Sequence, residues 1–211
     1  MLGGLIISGC LSVLFVSGCM QSNIAQIDSR GKYVVCFGDS ITQGFGAGPK
    51  TAYPAFLSKL MSVPVVNAGI EGDTSEGALQ RIKPDVLDRE PLLVIIEFGA
   101  NDFLTKVPIE KTQRNIEAII KECQKAGAIV ALADVSNMHL MPEYGPMFKA
   151  LSRAYKTIYI PNLLNSIYDN PSMKSDYFHP NAGGYKIIAQ RIHRAILPYL
   201  NQNEMLTKFR K

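Results

Sequence analysis

The stretch Tyr33-Val34-Val35-Cys36-Phe37, which stops at Gly38-Asp39-Ser40-Ile41-Thr42, decides the fold of this chain. The run shows no in/out alternation, so it reads as a strand covered on both faces, as in a parallel sheet. Four further runs of strand length follow at 63–66, 92–96, 128–133 and 157–160. Helical stretches lie between and after them, among them 51–61, 108–126 and 185–200. In the second of these Ile116, Ile119, Ile120 and Cys123 share one stripe, while Glu117, Lys121, Glu122 and Lys125 lie elsewhere. Pro108 near its start and Gly127 just past its end are the expected asymmetry of a helix. Strand alternating with helix predicts one three-layer α/β/α domain around a five-stranded parallel sheet.

Composition agrees with one globular unit. At 211 residues the chain has the length of a single domain, and 47% hydrophobic against 19% charged residues excludes disorder, collagen-like repeats and coiled coil. Lys+Arg 22 against Asp+Glu 18 leaves +4, too weak and scattered for a nucleic-acid footprint. The basic Lys208-Phe209-Arg210-Lys211 reads as a tail. Four cysteines are too few for a disulfide scaffold, and Cys36 and Cys123 are expected to be buried free thiols.

The first twenty residues are a different material: thirteen apolar, four Gly and three Ser, with no charge before Asp28. Leu14-Phe15-Val16-Ser17-Gly18-Cys19 places small residues before a cysteine, as at a signal-peptide cleavage site. It resembles the lipobox of bacterial lipoproteins, which implies that Cys19 is lipidated and becomes the mature N-terminus. Ile7-Ser8-Gly9-Cys10 is a weaker copy with too little apolar sequence before it. No Lys or Arg precedes the run, so the basic n-region is missing, and the alternative is an uncleaved anchor long enough to span a bilayer. The expected organisation is a signal peptide at 1–18, a lipid-anchored tether at 19–32 and the domain at 33–211. Either version leaves the domain in the cell envelope, outside the cytoplasm and attached to a membrane.

In sheets of this kind chemistry sits beyond the carboxyl ends of the strands. Those ends carry Gly38-Asp39-Ser40, then Asn67-Ala68-Gly69-Ile70-Glu71-Gly72-Asp73-Thr74-Ser75, then Gly99-Ala100-Asn101-Asp102, and finally Asp176-Tyr177-Phe178-His179-Pro180. Taken singly, each has a plain explanation: Asp39 and Ser40 as caps, Gly69 and Gly99 as turn glycines, Asn101-Asp102 as a helix start, and Asp176 and His179 as a solvated loop. Capping explains each separately and predicts no shared edge, whereas hydrolysis uses them all.

The four blocks in this order resemble the SGNH hydrolases, also called GDSL esterases, over about residues 33–200. Ala52-Tyr53-Pro54-Ala55-Phe56-Leu57 and Gly72-Asp73-Thr74-Ser75 look like its bacterial periplasmic thioesterase/lysophospholipase/arylesterase branch. The resemblance implies a flavodoxin-like fold, no metal or organic cofactor, and products that are an acid plus an alcohol or thiol. Ile41 stands where the family name has Leu. A serine needs a base, and among His139, His179 and His193 only His179 has a carboxylate, Asp176, within turn reach. Ser40, His179 and Asp176 are therefore the expected triad. Ser40 N–H, Gly69 N–H and the Asn101 amide are the expected oxyanion donors. Asp39, Glu97 and Asp102 are read as hydrogen-bonding support.

Two other motifs fail. Gly44-Phe45-Gly46-Ala47-Gly48-Pro49-Lys50-Thr51 nearly matches a phosphate-binding loop, but Pro49 replaces the second glycine and has no N–H to offer. Thr42 occupies the second glycine of a G-x-S-x-G elbow. Phe103, Leu104, Val107, Met138, Leu140, Met141 and Tyr144 could line an apolar groove near the catalytic edge, or merely pack the loops onto the sheet. The absence of Trp moves the expectation from carbohydrate deacetylation toward small acyl esters and thioesters, lysophospholipids among them. The alternatives are a carbohydrate O-acetyl esterase of the same fold and a non-catalytic lipid-anchored binding protein. A monomer is expected.

Overall fold

The computed structural model describes residues 23–136 and 140–203. Cys10, Cys19, Met138, His139 and the basic tail lie outside the described residues. In chain order the elements are β1 (Tyr33–Gly38), α1 (Ser40–Gln43), α2 (Tyr53–Ser58), β2 (Val65–Gly69), α3 (Ser75–Asp85) and β3 (Pro91–Glu97). There follow α4 (Ala100–Leu104), α5 (Ile109–Lys125), β4 (Ile129–Ala133), α6 (Tyr144–Tyr155), β5 (Ile158–Ile160) and α7 (Ala182–Leu200). The five strands are all parallel, in the order β2-β1-β3-β4-β5, so the winding reverses between β1 and β3. Helices α2 and α7 pack together, as do α3, α5 and α6, and these form the two outer layers. Every residue of β3 and β4 is buried, which is why both read as unbroken apolar runs.

Helix α2 is shorter than the expected 51–61, running only from Tyr53 to Ser58, and other ends shift by a residue; two of the differing boundaries have a clear local reason. Strand β2 begins at Val65 and continues through Asn67-Ala68-Gly69, which the sequence reading took as loop. Pro64 has no N–H for the ladder, and an edge strand tolerates the exposed Asn67 opposite Cys36. Helix α7 begins three residues before Tyr185, because the Asn181 side chain accepts from the N–H groups of Gly183 (2.9 Å) and Gly184 (3.2 Å). Gly184 is required there: a Cβ would stand 2.5 Å from the Met173 carbonyl oxygen.

The segment before β1 is docked at the amino-terminal edge of the sheet. Ala25 N–H donates to the Lys156 carbonyl just ahead of β5 (2.9 Å), and Lys32 N–H to the Glu90 carbonyl just ahead of β3 (2.8 Å). The Asn203 amide, beyond the far end of α7, donates to the carbonyls of Ile27 (2.8 Å) and Ser29 (2.9 Å). Cys36 and Cys123 are buried free thiols, and burial pushes both up to about 12.

Candidate active site

Ser40 leaves the end of β1 as the first residue of α1, and Asp39 fixes that turn by accepting the Ile41 N–H at 2.9 Å. Gly69 lies in register with Gly38 on the neighbouring strand. A Cβ on Gly69 would fall 2.1 Å from the Gln43 nitrogen, so only glycine lets β2 approach α1 this closely.

Asp176 and His179 arrive on the loop before α7. The Asp176 carboxylate accepts the N–H groups of Phe178 and His179, both at 2.8 Å, which wraps the loop into a tight turn. Ser175 N–H donates to the His179 carbonyl (2.9 Å), and the Asn181 amide reaches back to the carbonyls of Ser172 (2.8 Å) and Lys174 (3.3 Å). The turn is thereby tied to the cap of α7. His179 Nδ1 lies 2.8 Å from Asp176 Oδ2, and Nε2 lies 3.1 Å from Ser40 Oγ. An ionised carboxylate only accepts, so Nδ1 carries the hydrogen and Nε2 faces the serine as an acceptor. Burial works to raise Asp176, but hydrogen bonds from His179 and Phe178 outweigh it and hold the carboxyl below its usual range. The Phe45 ring covers the imidazole at a centroid distance of 4.4 Å, and Tyr185 O–H donates to the Phe45 carbonyl (2.8 Å). His193 lies on α7, about three turns from that helix's start, away from this cluster.

Asn101 opens α4 beside β3 and projects its amide toward the same edge. Both Nδ2 hydrogens have acceptors: the Asp73 carbonyl at 2.9 Å and Asp39 Oδ2 at 3.1 Å. The Gly69 N–H donates to Asn67 Oδ1 (2.9 Å), and Ile70 N–H, the next along, bonds the Gly38 carbonyl (3.1 Å). Strand alternation therefore turns the Gly69 N–H away from β1 and the serine. Three residues on, Gly72 sits at φ 73 with open space over its Cα, and its N–H has no partner among the described residues.

The three supporting acids each hold a different part. Asp39 caps α1 and bonds Asn101. Asp102 is buried and accepts from Ser75 N–H (2.9 Å) and Thr112 O–H (3.1 Å), joining α4 to α3 and α5. Glu97 is fully buried under β1, accepting the Thr42 hydroxyl at 2.7 Å, while its Oε1 has no hydrogen-bond partner among the described residues. Burial, then the neighbouring Asp39 charge, push Glu97 well above the usual carboxyl range. Burial also lifts Asp39, against the pull of the Ile41 N–H, to about 6. An acid raised on folding stabilises the fold fully below its unfolded value and loses that contribution as pH climbs through its folded value. The unfolding temperature is thus expected to fall between pH 4 and 7, the raised Asp39 accounting for up to about 3 kcal/mol. Glu97→Gln, which cannot ionise, should flatten that fall in thermal melts; equal falls in both proteins would refute the pairing.

A groove of about 300 Å³ borders the cluster, walled by Phe103, Leu104, Leu140 and Met141, as the sequence suggested. Its other wall is Tyr168, Tyr177 and Phe178 together with the charged Asp169 and Lys174, none of which sequence reading placed there. Val107 and Tyr144 line a separate shallow depression beside it. Ala100, next to Asn101, and Phe178, next to His179, join the groove to the site.

Comparison with known proteins agrees with this architecture. Residues 36–187 match the model of the GDSL-like Lipase/Acylhydrolase family. The chain is similar to Esterase TesA of Pseudomonas aeruginosa, 28% identical over 204 residues, covering 90% of this chain and all of the relative. It is also similar to Thioesterase 1/protease 1/lysophospholipase L1 of Escherichia coli strain K12, 27% identical over 181 residues, covering 81% of this chain and 86% of the relative. Among solved structures, the crystal structure of TesA superposes with a TM-score of 0.74 at 27% identity, covering 80% of this chain and 99% of that one. The matched span carries the serine turn, the Asn101 block and the Asp176–His179 loop, which meet at one edge of the five-stranded parallel sheet. The chain belongs to the GDSL-like lipase/acylhydrolase family and is an ester-hydrolysing enzyme.

Proposed function

We propose that the chain hydrolyses carboxylic esters or thioesters of acyl chains through Ser40, His179 and Asp176. The observation that carries this reading is the continuous hydrogen-bonded line from Asp176 through His179 to Ser40, opening beside an apolar groove. Ser40 Oγ attacks the acyl carbonyl while its proton passes to His179 Nε2, and the Asp176 carboxylate stabilises the imidazolium. Collapse of the tetrahedral adduct breaks the bond to the leaving oxygen or sulfur, which takes the proton back from His179. Water then repeats the sequence on the acyl-serine and releases the acid.

The oxyanion donors are Ser40 N–H, the Asn101 amide and Gly72 N–H. Gly69 packs β2 against α1, because its own N–H is committed to Asn67. Gly72 adjoins Asp73, whose carbonyl holds Asn101, so the loop donor and the side-chain amide are neighbours. The hydrogen of Asn101 directed at Asp39, the longer of its two contacts, is the one a developing anion would share.

The groove, whose lining residues Ala100 and Phe178 adjoin Asn101 and His179 in the chain, fits an aliphatic chain better than a sugar, because Leu, Met, Phe and Tyr side chains outnumber its two charged ones, Asp169 and Lys174. Each buried methylene contributes up to about 0.8 kcal/mol, roughly four-fold in kcat/KM. Across p-nitrophenyl esters and acyl thioesters from about C2 to C12, kcat/KM should rise from acetate and peak at medium length. A steep fall beyond acetate with turnover of acetylated sugars would replace this reading with a carbohydrate esterase. Cys19 is proposed as the lipid attachment point, holding the enzyme in the cell envelope; none of the described helices is long and apolar enough to cross a membrane.

A further inference from the structure

Arg81, on α3, is a cation in a place that surface charge does not explain. Its side chain is only 14% exposed and its guanidinium lies over the Phe37 ring, 4.5 Å from the centroid. All of its nitrogens are engaged. Nε and Nη2 each lie 2.7 Å from Asp73 Oδ2; Nη1 donates to the Ala68 carbonyl and to Asp85 Oδ2, both at 2.9 Å; and Nη2 donates to the Gly38 carbonyl at 3.0 Å. Guanidinium has five N–H donors, and here the planar fork spends them on acceptors from three chain segments.

Those acceptors are the supports of the reacting groups. Gly38 lies at the end of β1, two residues before Ser40. Ala68 lies at the matching end of β2, where the loop carrying Gly72 begins. Asp73 follows Gly72, and its carbonyl holds the Asn101 amide. We propose that Arg81 is a positioning residue, whose guanidinium locks the ends of β1 and β2 and the Asp73 loop so that the Ser40, Gly72 and Asn101 donors converge on one oxygen. This rests on the esterase reading above. Exposed ion pairs contribute little and buried ones are often matched by well-packed apolar groups, so stability alone gives little reason for a part-buried Arg held by two carboxylates and two backbone carbonyls. Lysine, with three donors at one point, cannot span the same acceptors.

The test is turnover per active site, with active sites counted by stoichiometric fluorophosphonate labelling. Arg81→Lys, Arg81→Ala and Asp73→Asn are compared with the native chain on p-nitrophenyl butyrate. The expected result is a fall in kcat per labelled site of roughly 10- to 100-fold in Arg81→Lys, with KM within about two-fold, because donors that act in the transition state have moved. Asp73→Asn should fall in the same sense by less. Guanidinium ion at millimolar concentration should restore part of the kcat of Arg81→Ala and none of that of Arg81→Lys, whose side chain fills the site. A purely structural role would lower the labelled fraction while leaving kcat per labelled site unchanged, and that outcome in Arg81→Lys or Asp73→Asn overturns the proposal. A native chain that neither labels nor turns over would instead defeat the esterase reading, so the two failures are distinguishable.

Discussion

Replacing Ser40 by alanine abolishes covalent labelling by a fluorophosphonate and lowers kcat on p-nitrophenyl butyrate by roughly 10³-fold or more. The loss is that large because the remaining parts cannot substitute for the missing oxygen. His179 Nε2 has Ser40 Oγ as its acceptor-side partner at 3.1 Å, and with that oxygen gone the imidazole is left to activate water from an unsuited position. Whatever rate survives comes from binding and the oxyanion donors alone. The fold should not suffer: the cap of α1 is supplied by Asp39, and among the described residues Ser40 Oγ makes no bond that holds two elements together other than the one to His179. Thermal melts of the variant should therefore overlay those of the native chain. Mass spectrometry of the labelled native protein locates the adduct. An adduct on Ser75, which is buried and bonded to Asp102, or on any other serine would sink the assignment.

Asn101→Ala should lower kcat by roughly 10² to 10³ while KM changes little, since the donor acts on charge that exists only in the transition state. The amide is aimed before substrate arrives, by the Asp73 carbonyl on one hydrogen and Asp39 on the other. Alanine removes the donor and also deprives Asp39 Oδ2 of its partner, so a modest loss of stability should accompany the kinetic loss. Steady-state kinetics separate the cases: a raised KM with kcat preserved would make Asn101 a ground-state substrate contact.

How much of this could be read from residues alone follows from the range of the interactions involved. β3 and β4 were legible because both faces are buried, leaving runs with nothing polar to interrupt them. β2 slipped because Pro64 and Asn67 are what an exposed edge allows, and edges are defined by neighbours that a local pattern does not contain. The start of α7 was hidden by Gly183-Gly184, poor helix formers kept for close packing against Met173 and Pro180. Within the site, Asp176 and His179 were readable as a pair because they meet inside one turn. Their meeting with Ser40 spans 139 residues and depends on the winding of the whole sheet. Arg81 gave no signal: with Asp85 four residues on, it looks like an ordinary ion pair on a solvated helix. Only the ends of β1 and β2 arriving beneath it reveal its other acceptors. The Gly69 reading failed for a related reason, since which N–H is free is decided by strand alternation and by the Asn67 side chain.

The docking of residues 25–32 against the chain just ahead of β3 and β5 fixes the direction in which the enzyme looks. Strand β1 runs from that edge to the serine over six residues, about 20 Å. From Cys19 to the first described residue, Asn23, four links reach at most about 14 Å. If Cys19 carries acyl chains, as proposed, the bilayer holding them lies toward the amino-terminal ends of the strands, opposite the ends that carry Ser40 and Asn101. An enzyme moored in that way would present Ser40 and His179 to the surrounding aqueous space and away from the leaflet that holds it, like a buoy moored by its keel with its hatch to the open side.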